Sequence, residues 1–409
     1  MAEREGQHGD QARARRTSDS RGAGSRRSRT ASVTRLPDPT GSPGQALPQR
    51  PALRPGVRRI WRGPDTVQLG RDQRRAVVVG DVDDAVWDVL ERLDGRQTTE
   101  ALIASSSLDA DTVVGLLLRL DAAGLIDDAG SDARALTRLT VTRRDQLKAE
   151  RDALVVRQRR PGDGARAFDR RTRAVVAVEG LGRVGATLAL LLDASGVGQV
   201  RLVDDDPVDV ADVSPGGHRL VDVSRGRAGA LRDRMSPAPR RTPPRTVRSP
   251  RTGRPSRSVP PDERLPDLVV LTDAIALGER LRRGDELGRA DVAHLAIDVT
   301  DGVGRIGPFV IPGRTSCLHC LDHARADRDP QWPVVLAQLV DLPAEVPSVV
   351  LSAQLAVAAA AEVCAWLDEQ EAATLDGQLV VEPPGHQPQR RAVPRHPACG
   401  CGWGGTIAS

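Results

Sequence analysis

A chain of 409 residues allows two or three domains, but aromatic residues supply only 2% of it, with no Tyr and two Phe, so its cores must be built from Val, Leu, Ala and Ile. The formal net charge is +4, but the 59 basic residues are nearly all arginine and many sit in tails, so the charge gives little ground to expect a nucleic-acid partner. No apolar run reaches the ~18 residues of a membrane span and no apolar core follows the N-terminal charges, so a cytoplasmic protein with no membrane partner is expected.

Residues 1–55 are rich in Arg, Ser, Gly, Pro and Gln and have no hydrophobic period; such a tail buries too little apolar surface to offset the entropy of ordering. Residues 56–134 change character. Strand patterns at Arg59–Trp61, Thr66–Leu69 and Ala76–Val79 precede helical patterns at Val82–Leu93, Thr98–Ala104 and Asp109–Ala123, the last with Val113, Leu116, Leu117 and Leu120 on one face. Three small strands and three helices are the content of a winged-helix-like module. Its last helix sets Asp109, Asp111 and Asp121 against Arg119 alone, a poor match to DNA phosphates. Residues 135–172 read as charged and mostly helical or linking, and hold Lys148, the single lysine.

The centre of the chain is Ala174–Val208. An apolar run leads into Gly180-x-Gly182-x-x-Gly185, then a helical pattern, then a second apolar run ending in Asp204, Asp205 and Asp206. In a strand–turn–helix unit the first glycine allows the bend, the second lets backbone approach a phosphate, and the third lets the helix pack close to the sheet. The helix N-terminus then presents free N–H groups to an anion. Asp204 follows at roughly the ~20-residue distance at which a carboxylate meets a ribose. Asp209–Leu231 reads as a crossover loop and helix. Residues 236–262 are a Pro, Arg and Ser run read as a disordered insertion, after which Leu268–Thr272 and Ala293–Val299 resume a parallel sheet and Ile306–Ile311 opens the C-terminal part.

Cys317-x-x-Cys320 and Cys399-x-Cys401 are two close pairs at long separation, the pattern of a tetrahedral zinc site. His319, His323 and His396 are expected beside this site rather than in it, with His396 the best substitute ligand. Cys364 lies in Ser348–Leu367, a helix whose small apolar residues mark it as buried and whose Ser352, Gln354 and Glu362 interrupt it too often for a membrane span.

The glycine triplet, the Gly196-Val197-Gly198 turn, Leu202-Val203-Asp204-x-Asp206-x-Val208, Leu271-Thr272-Asp273 and the passage from Gly307-Pro308 to Cys317-x-x-Cys320 together resemble the ubiquitin-activating-like ThiF/MoeB/HesA superfamily over residues 172–403. The resemblance implies an α/β, doubly wound, mainly parallel Rossmann-like domain over 173–403 closed by a zinc knuckle. It implies that ATP binds at Gly180, Gly182, Gly185, Asp204 and Asp206, that Asp273 holds Mg2+, and that Cys317, Cys320, Cys399 and Cys401 hold Zn2+. The implied reaction adenylates the C-terminal carboxylate of a small protein or peptide, in a homodimer. Where the family has an Asn, an Arg and a Lys that clamp phosphates, this chain has Asp212–Arg219 and Gly226-Arg227, which leaves Arg219 and Arg227 as the candidates for that charge. The segment from Thr66 to Ile126 also resembles the N-terminal region of ThiF-like proteins from ribosomal-peptide modification clusters, where such a module captures a precursor's leader by strand addition. Two functions therefore compete: an adenylyltransferase, and a degenerate leader-binding partner of a separate modifying enzyme.

Overall fold

The computed structural model describes residues 34–35, 47–72, 76–131, 133–158, 160–235, 264–382 and 387–402. The insertion expected at 236–262 and most of the tail expected over 1–55 lie outside these residues. The described residues form two compact units, one drawn from Met1–Asp132 with Asp152–Ala165, the other from Ala133–Arg151 with Arg166–Ser409.

In the first unit, β1 (Thr34–Arg35), β3 (Arg59–Trp61), β4 (Val67–Leu69) and β5 (Val77–Val79) form a sheet of order β1-β5-β4-β3, and β2 (Pro51–Leu53) pairs with β6 (Ile126–Asp128). The strand β2 shows ordered chain before the boundary expected at residue 55; three residues are too few to give a period. Helices α1 (Asp84–Glu91), α2 (Thr99–Ala104) and α3 (Ala110–Ala122) each begin on a side chain that accepts a backbone N–H: Asp83 from Val86, Thr98 from Ala101 and Asp109 from Thr112. Val113, Leu116, Leu117 and Leu120 are buried in one cluster with Val67, Leu69, Val77 and Val79. Arg54 is also buried and donates to the carbonyls of Ile126 and Val155. The strands and helices read from the sequence are present, with three strands added: β1, lying parallel on the edge of β5, and the antiparallel pair β2 and β6.

The stretch expected as a linker is helical for most of its length: α4 (Ala133–Leu136), α5 (Val141–Gln146), α6 (Lys148–Arg157) and α7 (Asp163–Arg173).

The second unit is built on a seven-stranded sheet of order β13-β12-β11-β10-β9-β7-β8. Its parallel part is β8 (Gln199–Val203), β7 (Val175–Glu179), β9 (Leu268–Leu271) and β10 (His294–Thr300). Each of these strands alternates between faces. Val176, Val178, Leu268, Val270, Leu295 and Ile297 face the core under α8 (Arg183–Ala194) and α13 (Val349–Leu367). Ala177, Val269 and Leu271 face the other way and meet Leu287 of α10 (Leu277–Arg289). Helices on both faces explain why these strands read as continuous apolar runs.

The expectation of a mainly parallel sheet requires correction. β11 (Val303–Val310), β12 (Gly377–Val381) and β13 (Gln389–Ala392) all pair antiparallel. The cause is local: Asp301 and Gly302, at φ 53° and 71°, form a two-residue turn that folds β11 back on β10 as a hairpin. By length and composition alone α13 is long and apolar enough to cross a membrane, a property shared by buried core helices of the kind expected from the sequence. Its residues Leu355, Ala356, Ala359 and Val363 are buried in the core, so it is the central packing helix of the unit.

Candidate functional site: a glycine turn and a four-sulfur cluster

The turn between β7 and α8 is made possible by glycine at each of its three positions. Gly180 has φ +83°, and a Cβ there would lie 2.5 Å from Thr272 Oγ1. A Cβ on Gly185 would lie 1.9 Å from the Gly180 carbonyl oxygen, so only glycine lets α8 start this close to the strand. Gly182 is the N-cap of α8 and provides no side-chain acceptor, which leaves the first N–H groups of the helix unclaimed by a cap.

Asp204, just beyond β8, accepts from Leu181 N–H at 2.6 Å and from Asp206 N–H at 2.9 Å, so the end of the second strand and the glycine turn are tied together. Arg227, the first residue of α9 (Arg227–Arg232), reaches the same place. Its Nη1 lies 3.2 Å from Asp204 and 3.4 Å from Asp206, while Nε lies 2.9 Å from Asp212. Arg219 goes elsewhere: Nε and Nη2 hold both oxygens of the fully buried Asp222 at 3.0 and 3.1 Å. The Arg219 guanidinium beside it holds the Asp222 carboxyl down at about 2. Of the two arginines singled out in the sequence, the structure brings only Arg227 to the acids of the turn.

Asp273 follows β9 and is 4% exposed, with Oδ1 lacking any hydrogen-bond partner among the described residues. Burial pushes its carboxyl up to about 7, with Arg280 pulling the other way. The next residue, Ala274, lies 3.1 Å from the Cβ position of Gly182, so Asp273 is a near neighbour of the turn. A buried carboxylate oxygen without a donor is the atom a divalent cation would satisfy.

Three residues here escaped the sequence reading. His218 is 1% exposed and its Nε2–H donates to the Leu181 carbonyl at 2.8 Å. Asp212 is buried, with Oδ1 3.8 Å from the Cβ position of Gly182. Arg183 donates through Nη1 to the Pro347 carbonyl at 2.8 Å, and its buried Nε has no partner among the described residues. All three lie in stretches already recognised as important, but an acid or a histidine in a charged loop shows no spacing that marks it.

The sulfurs of Cys317, Cys320, Cys399 and Cys401 all lie within 4.8 Å of one another. Separations of 3.8 Å for Cys317–Cys320, 3.6 Å for Cys317–Cys399 and 3.4 Å for Cys320–Cys401 approach the ~3.8 Å edge of a tetrahedron with ~2.3 Å Zn–S bonds. Four free thiols in this arrangement fit a zinc ion. Cys317 and Cys320 are presented at the start of α11 (Leu318–Ala326), and Cys399 and Cys401 by the chain after β13. The nearby histidines are occupied otherwise: His319 with Asp285 and His396 with Asp327, each at 2.8 Å, and His396 stacks on His323. Cys364 is buried in α13, where burial pushes its thiol up, as a packing residue requires.

Fold and site together define an α/β protein with a nucleotide-type glycine turn and a separate four-cysteine cluster. The ThiF family model matches residues 157–248, which hold the turn, its acids and Arg227, so this stretch is ThiF-family sequence. Among solved structures the chain is similar to E. coli MccB with succinimide, at 13% identity and TM-score 0.57, covering 87% of this chain and 99% of that one. A second E. coli MccB structure, with AMPCPP and MccA, gives 13% identity and TM-score 0.57 over 86% and 99%. PaaA gives 15% identity and TM-score 0.54 over 83% and 99%. At these identities the likeness is one of fold. Among curated proteins no sequence matches.

Proposed function

We propose that the chain binds MgATP on the glycine turn and adenylates the C-terminal carboxylate of a small protein or precursor peptide, working as a homodimer. The observation that carries the proposal is the glycine turn into α8: its N-cap Gly182 supplies no side-chain cap, and its Leu181 N–H is bonded to Asp204, which Arg227 also holds. In this reading Asp204 accepts from ribose hydroxyls, the Gly182 turn and Arg227 hold phosphate oxygens, and Asp206 and Asp273 face the cation. Bound Mg2+ would neutralise phosphate charge. The substrate carboxylate attacks the α-phosphorus; the α–β anhydride bond breaks, its electron pair leaving with pyrophosphate, and an acyl adenylate remains. The zinc cluster is structural in this account. Support by analogy comes from MccB, which has been solved with ATP and with N-formylated MccA.

A specific observation favours the second reading, a peptide-presenting partner without turnover. Asp212 adds negative charge beside the turn, and Asp222 withdraws Arg219 from it, leaving the phosphates a single arginine of the two expected. Pyrophosphate exchange into ATP distinguishes the two. An adenylyltransferase exchanges label only when a partner with a free C-terminus is present, and Asp273→Ala abolishes the exchange. Absence of exchange with every partner, while the full chain still binds a precursor peptide, supports the presenter; exchange that survives Asp273→Ala contradicts the role given to that residue.

A further inference from the structure

We infer that Asp212 is a resident anion of the nucleotide site, which holds Arg227 in place and must release it before a phosphate can be gripped. The inference rests on the nucleotide reading above and names the residue that limits affinity there.

Asp212 is 4% exposed, so its carboxylate is fixed rather than free to swing in solvent. One oxygen, Oδ2, accepts from Asp209 N–H and from Arg227 Nε, each at 2.9 Å, and lies 2.8 Å from Arg227 Nη2 as an ion-pair contact. The other, Oδ1, is the one 3.8 Å from the Cβ position of Gly182, at the start of α8. A carboxylate therefore stands next to the backbone to which a phosphate would come. Every nitrogen of the Arg227 guanidinium is engaged. Nε and Nη2 meet Asp212, and Nη1 is shared between Asp204 and Asp206.

Charge makes this arrangement consequential. Three carboxylates surround one guanidinium; the side chains of Arg227, Asp204 and Asp212 are 14%, 7% and 5% exposed and are weakly screened by solvent, while Asp206 is 77% exposed and open to it. A triphosphate brings further negative charge into a place that already carries an excess. Like charges placed side by side oppose association strongly, and the opposition is greatest where water is excluded. The phosphate can gain Arg227 only by competing with a carboxylate that is held by the backbone of Asp209 as well. Asp212 also caps its own short helical turn reciprocally with Asp209, so it does not retreat without breaking that turn.

Replacing the charge while keeping the shape isolates the effect. In Asp212→Asn the amide oxygen still accepts from Asp209 N–H, the cap survives, and Arg227 loses its ion-pair partner. We expect Asp212→Asn to bind ATP at least about tenfold more tightly than the natural protein, each factor of ten being a modest change in electrostatic free energy. The gain should be larger without Mg2+ than with it, because the cation screens the same repulsion. In the double variant Asp212→Asn/Arg227→Ala the gain should be smaller, since the part that comes from freeing that guanidinium is lost and only the relief of repulsion remains. Titration calorimetry of the full chain with ATP, with and without Mg2+, reads all three quantities, and thermal unfolding checks that each variant is folded. If Asp212→Asn does not fold, Asp212→Ser removes the same charge and carries the same expectation. Natural protein that binds ATP while the variant binds equally or less tightly overturns the inference alone. An equal gain in the double variant overturns it too, by showing that freeing Arg227 contributes nothing. ATP binding by neither protein overturns both this inference and the nucleotide reading beneath it.

Discussion

At Gly185 the margin for substitution is measured in the 1.9 Å between an added methyl and the Gly180 carbonyl oxygen, an overlap that neither backbone can relieve without moving α8 off the sheet. Gly185→Ala should therefore lower stability by at least the ~1–3 kcal/mol typical of overpacking and should also abolish ATP binding; equilibrium unfolding and calorimetry check the two losses separately. Asp273 yields a pH prediction. Its carboxyl is raised from an ordinary 3.8 to about 7, so the folded chain holds a proton that the unfolded chain has released. Stability from this group is present at low pH, falls as pH rises from about 4, and is fully lost above about 7, an effect of up to about 4 kcal/mol if the whole shift is realised. Without Mg2+, Asp273→Asn should gain on the natural protein in melting temperature as pH rises from 5 to 8; parallel curves would exclude the effect. At this scale the sequence was legible where chemistry demands a residue type at a fixed spacing, as with the three glycines, Asp204 and the cysteines. It was not legible where a partner decides the role: nothing in Arg219 reveals that Asp222 holds it, and nothing in Asp212 reveals that it meets Gly182.

Among the elements, the strands under α8 and α13 could be read because burial on both faces leaves unbroken runs such as Leu268–Leu271. β13 could not, since Gln-Arg-Arg-Ala is exposed throughout and has no alternation to detect. The turn into β11 carried a usable signal, Asp301-Gly302, which marks a hairpin and thus an antiparallel neighbour. The four-sulfur cluster joins elements that are far apart in sequence, α11 and the chain beyond β13, so a metal bound there would close a long loop and its binding energy would become folding energy. Metal analysis should find about one zinc per chain. Cys317→Ser and Cys399→Ser should each lose it and lower the melting temperature, and full zinc content with unchanged stability in both variants would contradict the assignment.

For the molecule as a whole, the chain divides into a small strand-and-helix unit, for which peptide capture is a proposal, and an α/β unit in which residues matched by the ThiF family model hold the glycine turn. The charge balance of the chain says little about partners because local clusters decide them, as at Asp204, Asp206, Asp212 and Arg227. In the proposed reading the acids beyond β8 and the buried Asp273 meet a ribose and a metal-bound triphosphate rather than a dinucleotide. The most direct measurement is calorimetric titration of the purified full chain with ATP and Mg2+, and in parallel with NAD, on the natural protein and on Gly182→Val. The account predicts one ATP site per chain, no tight NAD binding, and loss of ATP binding in the variant; a folded natural protein that binds NAD tightly, or a Gly182→Val variant that binds ATP as well as the natural protein does, would contradict it.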